Sequence, residues 1–273
     1  MKKVVLITGA SSGIGKSVAE YLADRGYTVY GAARRTDKMS SLRTRGIQTL
    51  AMDVTDEVSS KAGVNQIIEA EGRIDVLINN AGFGSYGAVE DVSIEDAKYQ
   101  LEVNVFGVAR LIKLVLPHMR AQHSGKIVNI SSIGGKLATP FGGWYHASKF
   151  ALEGLSDSLR NEVRPFGIDV IVIEPGGIKS EWSGIAHDSL MRVSGNGAYK
   201  EIAIPIADAF NTIESKVPDP ILISKLIYKA ITERKPNARY SAGYMAKPAL
   251  FMRKILSDNL FDKVTMNQIK RMK

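Results

Sequence analysis

The chain has 273 residues, of which 45% are hydrophobic and 23% are charged, and its net charge is +8 at neutral pH. This length and balance are typical of one large globular α/β domain. The sequence has no cysteine and no apolar run long enough to cross a bilayer or to form a signal peptide, which excludes disulfide and thiolate chemistry and agrees with a cytoplasmic protein.

Short apolar runs alternate with amphipathic stretches as far as Pro175. The runs predict strands at residues 4–8, 28–33, 48–52, 74–78, 126–130 and 169–173. Helical periodicity covers residues 14–25, 58–71, 95–122 and 145–164. Apolar strands that alternate with helices indicate a parallel sheet covered on both faces, and hence a doubly wound, Rossmann-type α/β fold. Ligands are expected at the carboxyl ends of its strands.

The pattern changes after Pro175. Residues 178–217 show no clean strand, and we interpret residues 181–217 as a partly helical segment that covers the substrate, above a cofactor and catalytic core of residues 1–180. The C-terminal part, residues 218–273, contains predicted helices at 221–233 and 247–270 and a short strand at 239–241. No repeat or linker interrupts the chain, so residues 1–273 are predicted to form a single domain.

The positive charge is concentrated in a C-terminal extension. Residues 224–273 contain 12 Lys and Arg and 3 Asp and Glu, a net charge of +9, and the preceding residues sum to −1. A solvated helix face explains this charge, as does attraction to an acidic surface. Apolar residues alternate with these cations, which allows a weak peripheral membrane contact as well as packing on the domain or on a second subunit. They are Leu250, Phe251, Ile255, Leu256, Leu260 and Phe261.

Tyr145 and Lys149 lie four residues apart in a stretch with helix-forming composition. On a helix, residues at this spacing point the same way, so a phenol and an ammonium would share one face. Because the cation favours the phenolate, the sequence predicts a lowered pKa for Tyr145. Such a phenol can exchange a proton with a carbonyl oxygen, which makes Tyr145 the candidate general acid and base.

A glycine-rich turn joins the first predicted strand to the first predicted helix. Small residues there allow the backbone to approach a pyrophosphate, and the helix N-terminus attracts the anion. A tight loop without a ligand is the alternative, but the position at the first strand-to-helix junction favours nucleotide binding. The predicted contacts are Gly9, Ser11, Ser12, Gly13, Ile14 and Gly15.

Arg34 and Arg35 follow the second predicted strand, where an NAD-binding protein usually has an acidic residue. The first acidic residue after that strand is Asp37. Guanidinium groups bind a 2′-phosphate through charge-assisted, bidentate hydrogen bonds. We therefore predict NADP(H) rather than NAD(H), with Arg34 as the main contact; two exposed arginines without a ligand are the alternative.

The ends of three later strands supply further candidate contacts. Asp53 and Val54 close the third strand, where a carboxylate can accept a hydrogen bond from an adenine amino group. A small-residue turn closes the fourth strand and a Pro-Gly-Gly turn follows the sixth, where it can wrap around a nicotinamide; such turns also occur for structural reasons alone. These two turns contribute Asn80, Ala81, Gly82, Pro175, Gly176, Gly177, Ile178 and Ser180.

Ser132 ends the fifth strand, thirteen residues before Tyr145. Its hydroxyl can bind a substrate carbonyl together with Tyr145, an assignment that depends on the neighbouring motifs because most loop serines have no such role. His146 is adjacent to Tyr145, but one helix step turns it by about a hundred degrees, which predicts a packing or surface role.

In order and spacing, these motifs closely resemble those of the short-chain dehydrogenase/reductase family, from residue 3 to about residue 180. The match comprises Thr8-Gly-x-x-x-Gly-x-Gly15, Asn79-Asn80-Ala81-Gly82, Asn104, Ser132, Tyr145-x-x-x-Lys149 and Pro175-Gly176, with Ser180 where threonine is commoner. The resemblance implies an oxidoreductase in which Tyr145 is the acid and base, Lys149 lowers its pKa and both contact the cofactor, while Ser132 polarises the carbonyl. It further implies that Asn104 supports a water-linked proton path, and that the helices at 95–122 and 145–164 form a homodimer or homotetramer.

The predicted substrate site is mostly apolar, which indicates a hydrophobic ketone, aldehyde or secondary alcohol. Its lining is predicted to be Phe83, Ile133, Leu137, Phe141, Trp144, Ile178 and Trp182, with Ser132 and Tyr145 as the polar groups. Residues 139–155 are also similar to the hydroxysteroid and retinol dehydrogenase branch of the family. Plain core packing of these residues, and a protein that senses NADP(H) without catalysis, are the alternatives. Neither a metal site nor a nucleic-acid partner is predicted.

Overall fold

A computed structural model describes the chain over residues 2–213 and 216–270. Its strands are β1 (Val4–Thr8), β2 (Thr28–Ala33), β3 (Gln48–Ala51), β4 (Val76–Asn79), β5 (Gly125–Ile130), β6 (Ile168–Pro175) and β7 (Arg239–Ala242). They form one parallel sheet in the order β3-β2-β1-β4-β5-β6-β7. This order confirms the predicted doubly wound, Rossmann-type fold as a single domain, and it reverses between β1 and β4, where such folds bind ligands.

Helices cover both faces of the sheet. They are α1 (Gly13–Ala23), α2 (Ser40–Arg43), α3 (Glu57–Glu71), α4 (Ile94–Leu101), α5 (Gly107–Ala121), α6 (Gly143–Val163), α7 (Trp182–Ser194), α8 (Lys200–Ile213), α9 (Ile221–Thr232), α10 (Ala246–Ile255) and α11 (Asp258–Lys270). Local sequence sets some of the boundaries: the side chains of Asp56 and Ser93 cap the first turns of α3 and α4. Gly72 ends α3 with a φ of 69°, a conformation that glycine adopts without strain.

Alternate residues of each strand enter different cores, as the two-residue period of a strand requires. Leu6 of β1 packs in the core beneath α3, α5 and α6, whereas Val5 and Ile7 pack in the core beneath α1 and α9. A third, smaller cluster lies above the carboxyl edge of the sheet and joins Tyr145 to side chains of α7 and α8. The segment predicted to cover the substrate therefore packs directly over the candidate acid and base.

Two predicted helices are interrupted. The predicted helix at 95–122 consists of α4, a π-helix of residues Glu102–Phe106 and α5. The predicted helix at 247–270 is divided into α10 and α11 because Leu256 has an extended backbone. Neither break changes the run of apolar residues enough to be visible in the sequence. Among the described residues, no helix is long and apolar enough to span a bilayer. The predicted domain also includes residues 1, 214–215 and 271–273, which lie outside the described part of the chain.

Candidate active site

The carboxyl ends of β1, β4, β5 and β6 meet at one edge of the sheet and border a cavity of about 780 Å³. Nearly all of the residues predicted to contact cofactor or substrate line this cavity. The exceptions are Gly15, Asn104, Phe141 and Trp144. The glycine-rich turn, Arg34 and Arg35 lie in the same cavity as Tyr145, so a nucleotide and a second small molecule can meet there.

Ser132 and Tyr145 are brought together by the turn that follows β5. Ser132 precedes a short 3-10 helix, Ile133–Gly135, and its Oγ accepts a hydrogen bond from the backbone N–H of Gly134 at 3.0 Å. The Ser132 Oγ also donates to the carbonyl oxygen of Pro175 at 3.5 Å, and the Ser132 side chain lies close enough to that of Tyr145, in the first turn of α6, to lower its pKa. Two hydroxyl groups therefore face one point in the cavity, the arrangement needed to bind one carbonyl oxygen.

Burial raises the pKa of Tyr145 above its ordinary value of 10, and the Ser132 side chain opposes this rise without cancelling it. The predicted lowering of this pKa by Lys149 is therefore wrong for this structure. The reason is geometric, because the Nζ of Lys149 lies 5.9 Å from the centre of the Tyr145 ring and donates a hydrogen bond to the carbonyl oxygen of Ile130 at 2.9 Å. Desolvation then outweighs the attraction of the cation.

Lys149 is itself buried, on the same face of α6 as Tyr145. Burial lowers its pKa to about 8, against the attraction of Glu153, which lies one turn further along α6 and raises it. A lysine with this pKa carries its charge at neutral pH and loses it under mildly alkaline conditions. The protonation state of Lys149 therefore depends on pH in this range.

Asn104 lies in the π-helix and is fully surrounded by protein. Its Oδ1 accepts from the backbone N–H of Phe83 at 3.2 Å, and its Nδ2 donates to the carbonyl oxygen of Phe83 and to the Oγ of Ser148, both at 3.0 Å. Ser148 lies between the two candidate catalytic residues of α6. Asn104 thus connects the cavity wall at Phe83 to the catalytic helix without lining the cavity, and the predicted proton path through it stays a prediction.

The glycine-rich turn has the shape of a cradle. Gly9 and Gly13 have φ values of 66° and 53°, which favour glycine, and α1 begins at Gly13. Gly15 faces the inside of the turn, where an added Cβ would lie 2.4 Å from the Gly9 carbonyl oxygen and 2.4 Å from the Asn80 amide nitrogen. Gly15 therefore packs inside the turn and does not line the cavity, and its predicted cofactor contact stays a prediction. The remaining turn leaves the start of α1 accessible to a phosphate group.

The Asn80 side chain fastens this turn to the end of β4. Its Nδ2 donates to the carbonyl oxygen of Thr8 at 2.9 Å, and the hydroxyl of Thr8 accepts from the backbone N–H groups of Asn80 and Ala81 at 3.0 and 2.9 Å. Gly82 then lies against Asn104, because an added Cβ would be 3.0 Å from its Oδ1. The small-residue turn thus holds β1 and β4 together at the switch point of the sheet.

Arg34 and Arg35 occupy different parts of the nucleotide side. Arg34 donates to the hydroxyl of Tyr99 at 2.7 Å and lies 4.0 Å from the carboxylate of Asp53. Arg35 donates to the Oγ of Ser12 at 3.2 Å, so its guanidinium borders the start of α1. An anion bound beside Ser12 would meet the Arg35 guanidinium and the start of α1, while Arg34 adds a second cation on the Asp53 side, and the residues present fit a phosphorylated ribose.

Glu181 is a residue of this corner that the sequence analysis missed. It precedes α7, and its carboxylate accepts from Arg35 at 2.9 Å and from Lys38 at 3.1 Å. These cations hold the pKa of Glu181 below its usual value. The contact spans 146 residues of sequence, so no local pattern could have revealed it.

Three of the predicted contact residues also form hydrogen bonds within the protein itself. Asp53 accepts hydrogen bonds from the backbone N–H and the hydroxyl of Thr55 at 2.9 and 2.8 Å. In the turn after β6, Gly176 and Gly177 donate their N–H groups to the carbonyl oxygens of Ala242 and Tyr244. The turn is therefore held against β7, and any nicotinamide contact from these two glycines would involve groups other than their N–H.

The apolar side of the cavity differs from the prediction at two positions. Phe83, Ile133, Leu137 and Trp182 line it, as predicted. Phe141, whose φ is 66°, instead turns toward Tyr199 and borders a separate cavity of about 460 Å³. Trp144 precedes Tyr145 on α6 and does not line the cavity that Tyr145 enters.

His146 packs inside the protein, but it also lines the cavity of Tyr145, although one helix step separates the two residues. It is buried, and its Nδ1 lies 3.0 Å from the carbonyl oxygen of Gly134 while its Nε2 lies 3.1 Å from the backbone nitrogen of Thr139. Burial lowers its pKa. Both ring nitrogens are thus used to hold the loop between β5 and α6, and a general base role is not needed to explain this residue.

The C-terminal helices contribute a wall of the cavity that the sequence analysis did not assign to it. Side chains from α10, α11 and the residue before α10 line it, namely Met245, Ala249, Met252, Phe261 and Val264. Tyr86 and Phe210 complete this apolar region, with ring centres 5.3 Å apart. The predicted C-terminal extension therefore also forms part of the cavity wall.

Among the described residues, no group of side chains is suited to binding a metal ion.

Comparison with known proteins agrees with this arrangement. A family model described as short chain dehydrogenase matches residues 3–188. The chain is 38% identical to a 3-ketodihydrosphingosine reductase of Bacteroides thetaiotaomicron over 244 residues, which cover 88% of this chain and 88% of the relative. It is 32% identical to an NADPH-dependent 3-dehydrocapnine reductase of Ornithobacterium rhinotracheale over an alignment of 288 positions, which covers 99% and 98% of the two chains.

Solved structures show the same fold over the whole chain. A short-chain dehydrogenase from Streptomyces avermitilis superimposes with a TM-score of 0.83 at 33% identity, over 99% of this chain and 98% of the other. A short chain dehydrogenase/reductase from Burkholderia phymatum in complex with NAD has a TM-score of 0.76 at 26% identity, over 87% and 88% of the chains. Fold and site thus define a nucleotide-binding oxidoreductase. The chain belongs to the short-chain dehydrogenase family.

Proposed function

We propose that the protein is an NADPH-dependent reductase whose substrates are ketones with long hydrocarbon chains. The alternative is that it catalyses the reverse reaction, the oxidation of the corresponding secondary alcohol. The observation that carries this proposal is the shared cavity. It holds the neighbouring hydroxyls of Tyr145 and Ser132 between a nucleotide cradle and an apolar wall. A bound NADPH would supply a hydride, and the protein would supply position and a proton.

The preference for NADPH rests on the charge of the nucleotide corner. Arg34 and Arg35 both line the cavity and can bind a 2′-phosphate through charge-assisted hydrogen bonds. The name of the Ornithobacterium rhinotracheale relative includes the same cofactor, whereas the Burkholderia phymatum structure contains NAD. Comparison alone therefore supports either nucleotide, and the two arginines are the reason for proposing NADPH.

The proposed roles of the catalytic residues follow from their protonation states. A Tyr145 with a raised pKa is protonated at neutral pH, so its hydroxyl can donate a proton to a carbonyl oxygen during reduction. The Ser132 hydroxyl would bind the same oxygen and polarise the carbonyl. Lys149, charged at neutral pH, would stabilise the phenolate that remains after the proton leaves. Reduction is thus the direction that this set of groups favours.

The proposed substrate class combines the cavity with the names of the relatives. One relative is a 3-ketodihydrosphingosine reductase and the other a 3-dehydrocapnine reductase, so both names indicate a ketone at the third carbon. In this chain, Met245, Met252 and Val264 extend the apolar lining well beyond the candidate catalytic pair. A long hydrocarbon chain attached to the ketone would be desolvated by this wall.

The deciding experiment measures NADPH oxidation by the purified protein with 3-ketodihydrosphingosine, a short-chain 3-ketoester and no ketone. Titrations with NADPH and NADH accompany it. We expect tight NADPH binding and a kcat/KM that is higher for the long-chain ketone. Tight NADPH binding with no turnover of any ketone would instead favour a protein that senses NADP(H) without catalysis. A higher kcat/KM for the short ketoester would contradict the proposed substrate class.

A further inference from the structure

The helix α10 has two unlike faces. Ala249 and Met252 line the cavity, so this face is the inner one. The opposite stripe combines large apolar residues with lysines, at the spacing of three and four residues that aligns side chains on a helix. It consists of Lys247, Phe251, Lys254 and Ile255, all of them exposed. One helix therefore separates the apolar cavity from an apolar and basic outer surface.

The apolar members of this surface are exposed to an unusual degree. Phe251 is 63% exposed and Ile255 is 59% exposed, and they lie one turn apart. Leu260, in the first turn of α11, is 47% exposed. Single exposed apolar residues are normal on proteins, but aromatic and aliphatic residues on adjacent turns mark a surface that binds something.

The charges of this surface are available to an external partner. Within residues 2–213 and 216–270, neither Lys247 nor Lys254 forms a salt bridge. Arg253 pairs with Asp258 at 2.7 Å, which neutralises an acidic group at the start of α11. Helices that combine exposed apolar residues with lysines lie in the interface of anionic bilayers, where the apolar groups enter the acyl boundary.

The cavity also opens near this surface. Met245, the residue before α10, lines the cavity and is itself exposed. Ile185 of α7 likewise lines the cavity and is exposed to solvent. A molecule that leaves a bilayer beside α10 would therefore meet these apolar side chains at the cavity entrance.

We propose that the outer face of α10, with Leu260 of α11, docks on an anionic lipid bilayer and places the cavity entrance at the bilayer surface. A second copy of the chain fits this face less well, because a twofold contact would oppose Lys247 and Lys254 to the same lysines of the partner. The docking follows from the surface alone. The delivery of an apolar ketone from the bilayer to the cavity rests on the proposed function.

The test is sedimentation of the full chain with vesicles of phosphatidylcholine alone and of phosphatidylcholine mixed with phosphatidylglycerol, at low and high salt. We expect pelleting that requires phosphatidylglycerol and weakens with salt. The variant K247E/K254E should reduce the partition coefficient at least about tenfold, because each lysine near an anionic surface contributes about a fivefold factor and the two factors multiply. The variant F251S/I255S should reduce it by a similar factor through lost insertion.

The matched control is Val58→Ser, which removes an apolar residue that is 79% exposed on α3, and it should pellet like the wild type. Two results would overturn the proposal. One is that all variants pellet equally; the other is that the wild-type protein pellets with neither kind of vesicle. Loss of a dimer in F251S/I255S without a change in vesicle pelleting would assign the face to a second copy instead.

A separate assay distinguishes docking from the proposed function. Turnover of a water-soluble ketone with NADPH, measured without vesicles, should be unchanged in K247E/K254E and F251S/I255S because none of these side chains lines the cavity. Turnover of a long-chain ketone presented in phosphatidylglycerol vesicles should fall with the partition coefficient. If the wild type pellets with vesicles but reduces no ketone, the docking stands and the proposed function fails.

Discussion

Glu181 and Arg35 form an ion pair across the nucleotide corner, with 2.9 Å between the Glu181 Oε2 and the Arg35 Nη2. Arg35 also reaches the hydroxyl of Ser12, the residue that precedes α1. The carboxylate therefore lies where a phosphate group would compete for the same guanidinium. It joins the segment above the cavity to the cation expected to bind the nucleotide.

Replacing Glu181 with Gln should strengthen NADPH binding. The amide keeps the size of the side chain but removes the negative charge that competes with a 2′-phosphate. Because this ion pair is about half exposed, the gain is limited to about two- to fivefold in Kd. Fluorescence titration with NADPH and NADH measures it, with Glu162→Gln on the exposed face of α6 as the control. An equal gain for NADH would show that Glu181 does not act through the 2′-phosphate.

Replacing Arg34 with Asp should weaken NADPH binding by at least about tenfold, since a hydrogen bond to a charged group contributes about 1.5–3 kcal/mol. The introduced carboxylate can accept from a ribose 2′-hydroxyl, so the affinity for NADH should stay the same or rise. The control is Arg45→Asp, which breaks a surface pair with Asp24 outside the cavity. Equal losses of both nucleotides in Arg34→Asp would remove the proposed cofactor preference.

The predicted homodimer or homotetramer has a candidate surface on the helices that were expected to form it. Phe106, at the end of the π-helix, is 56% exposed, and Phe150 of α6 is 47% exposed. Burying such side chains stabilises an interface by about 1.5–3 kcal/mol each. The variant F106S/F150S should therefore lower the molar mass measured by light scattering. The variant F251S/I255S serves as the control, because its face is assigned to lipid. An unchanged mass in F106S/F150S would exclude this surface.

Replacing Tyr145 with Phe should lower kcat at least about a hundredfold, the contribution typical of a general acid. The phenyl ring preserves the packing against Tyr86 and Trp182, so the Kd for NADPH should stay within about twofold. Tyr86→Phe is the matched control, since it removes a hydroxyl from a neighbouring buried ring in the same cavity. Turnover of Tyr145→Phe near the wild-type rate would contradict the proposed role.

The fold could be predicted from the sequence because each strand is a short apolar run between amphipathic helices. The predicted bounds of β1 and β2 were exact, and those of the other strands were off by one or two residues, as for β4, which was predicted from Ile74 and begins at Val76. The breaks at Glu102–Phe106 and Leu256 were missed because a backbone irregularity leaves the apolar period of a helix almost unchanged.

The candidate site could be predicted where its groups are close in sequence, as in the spacing of Tyr145 and Lys149. It could not be predicted where two groups meet only in the fold. The contact of Glu181 with Arg35 and the entry of Met252 into the cavity depend on how distant segments pack. The direction of the Tyr145 pKa was wrong for a related reason, because sequence spacing shows a nearby cation but does not show the burial that opposes it.

The pH dependence of reduction should be set by Lys149 on its alkaline side. Its pKa is lowered to about 8, so the ammonium is present below that pH and is lost as pH rises through it. Tyr145 remains protonated over this range because its pKa is raised. We therefore expect kcat/KM for ketone reduction to be level near neutral pH and to fall above about pH 8, as measured by initial rates at constant ionic strength.

Glu153 provides the internal test of this assignment. Its carboxylate raises the pKa of Lys149 against burial, so Glu153→Gln should move the alkaline limb of kcat/KM to lower pH. Glu153 also pairs with Lys136 at 2.8 Å and with Arg239 at 2.9 Å, so the variant should lose stability as well, and thermal unfolding must be followed beside the rates. Glu162→Gln removes an exposed carboxylate of the same helix and should not change the pH at which kcat/KM falls. A limb that stays fixed or moves to higher pH in Glu153→Gln would show that Lys149 is not the titrating group.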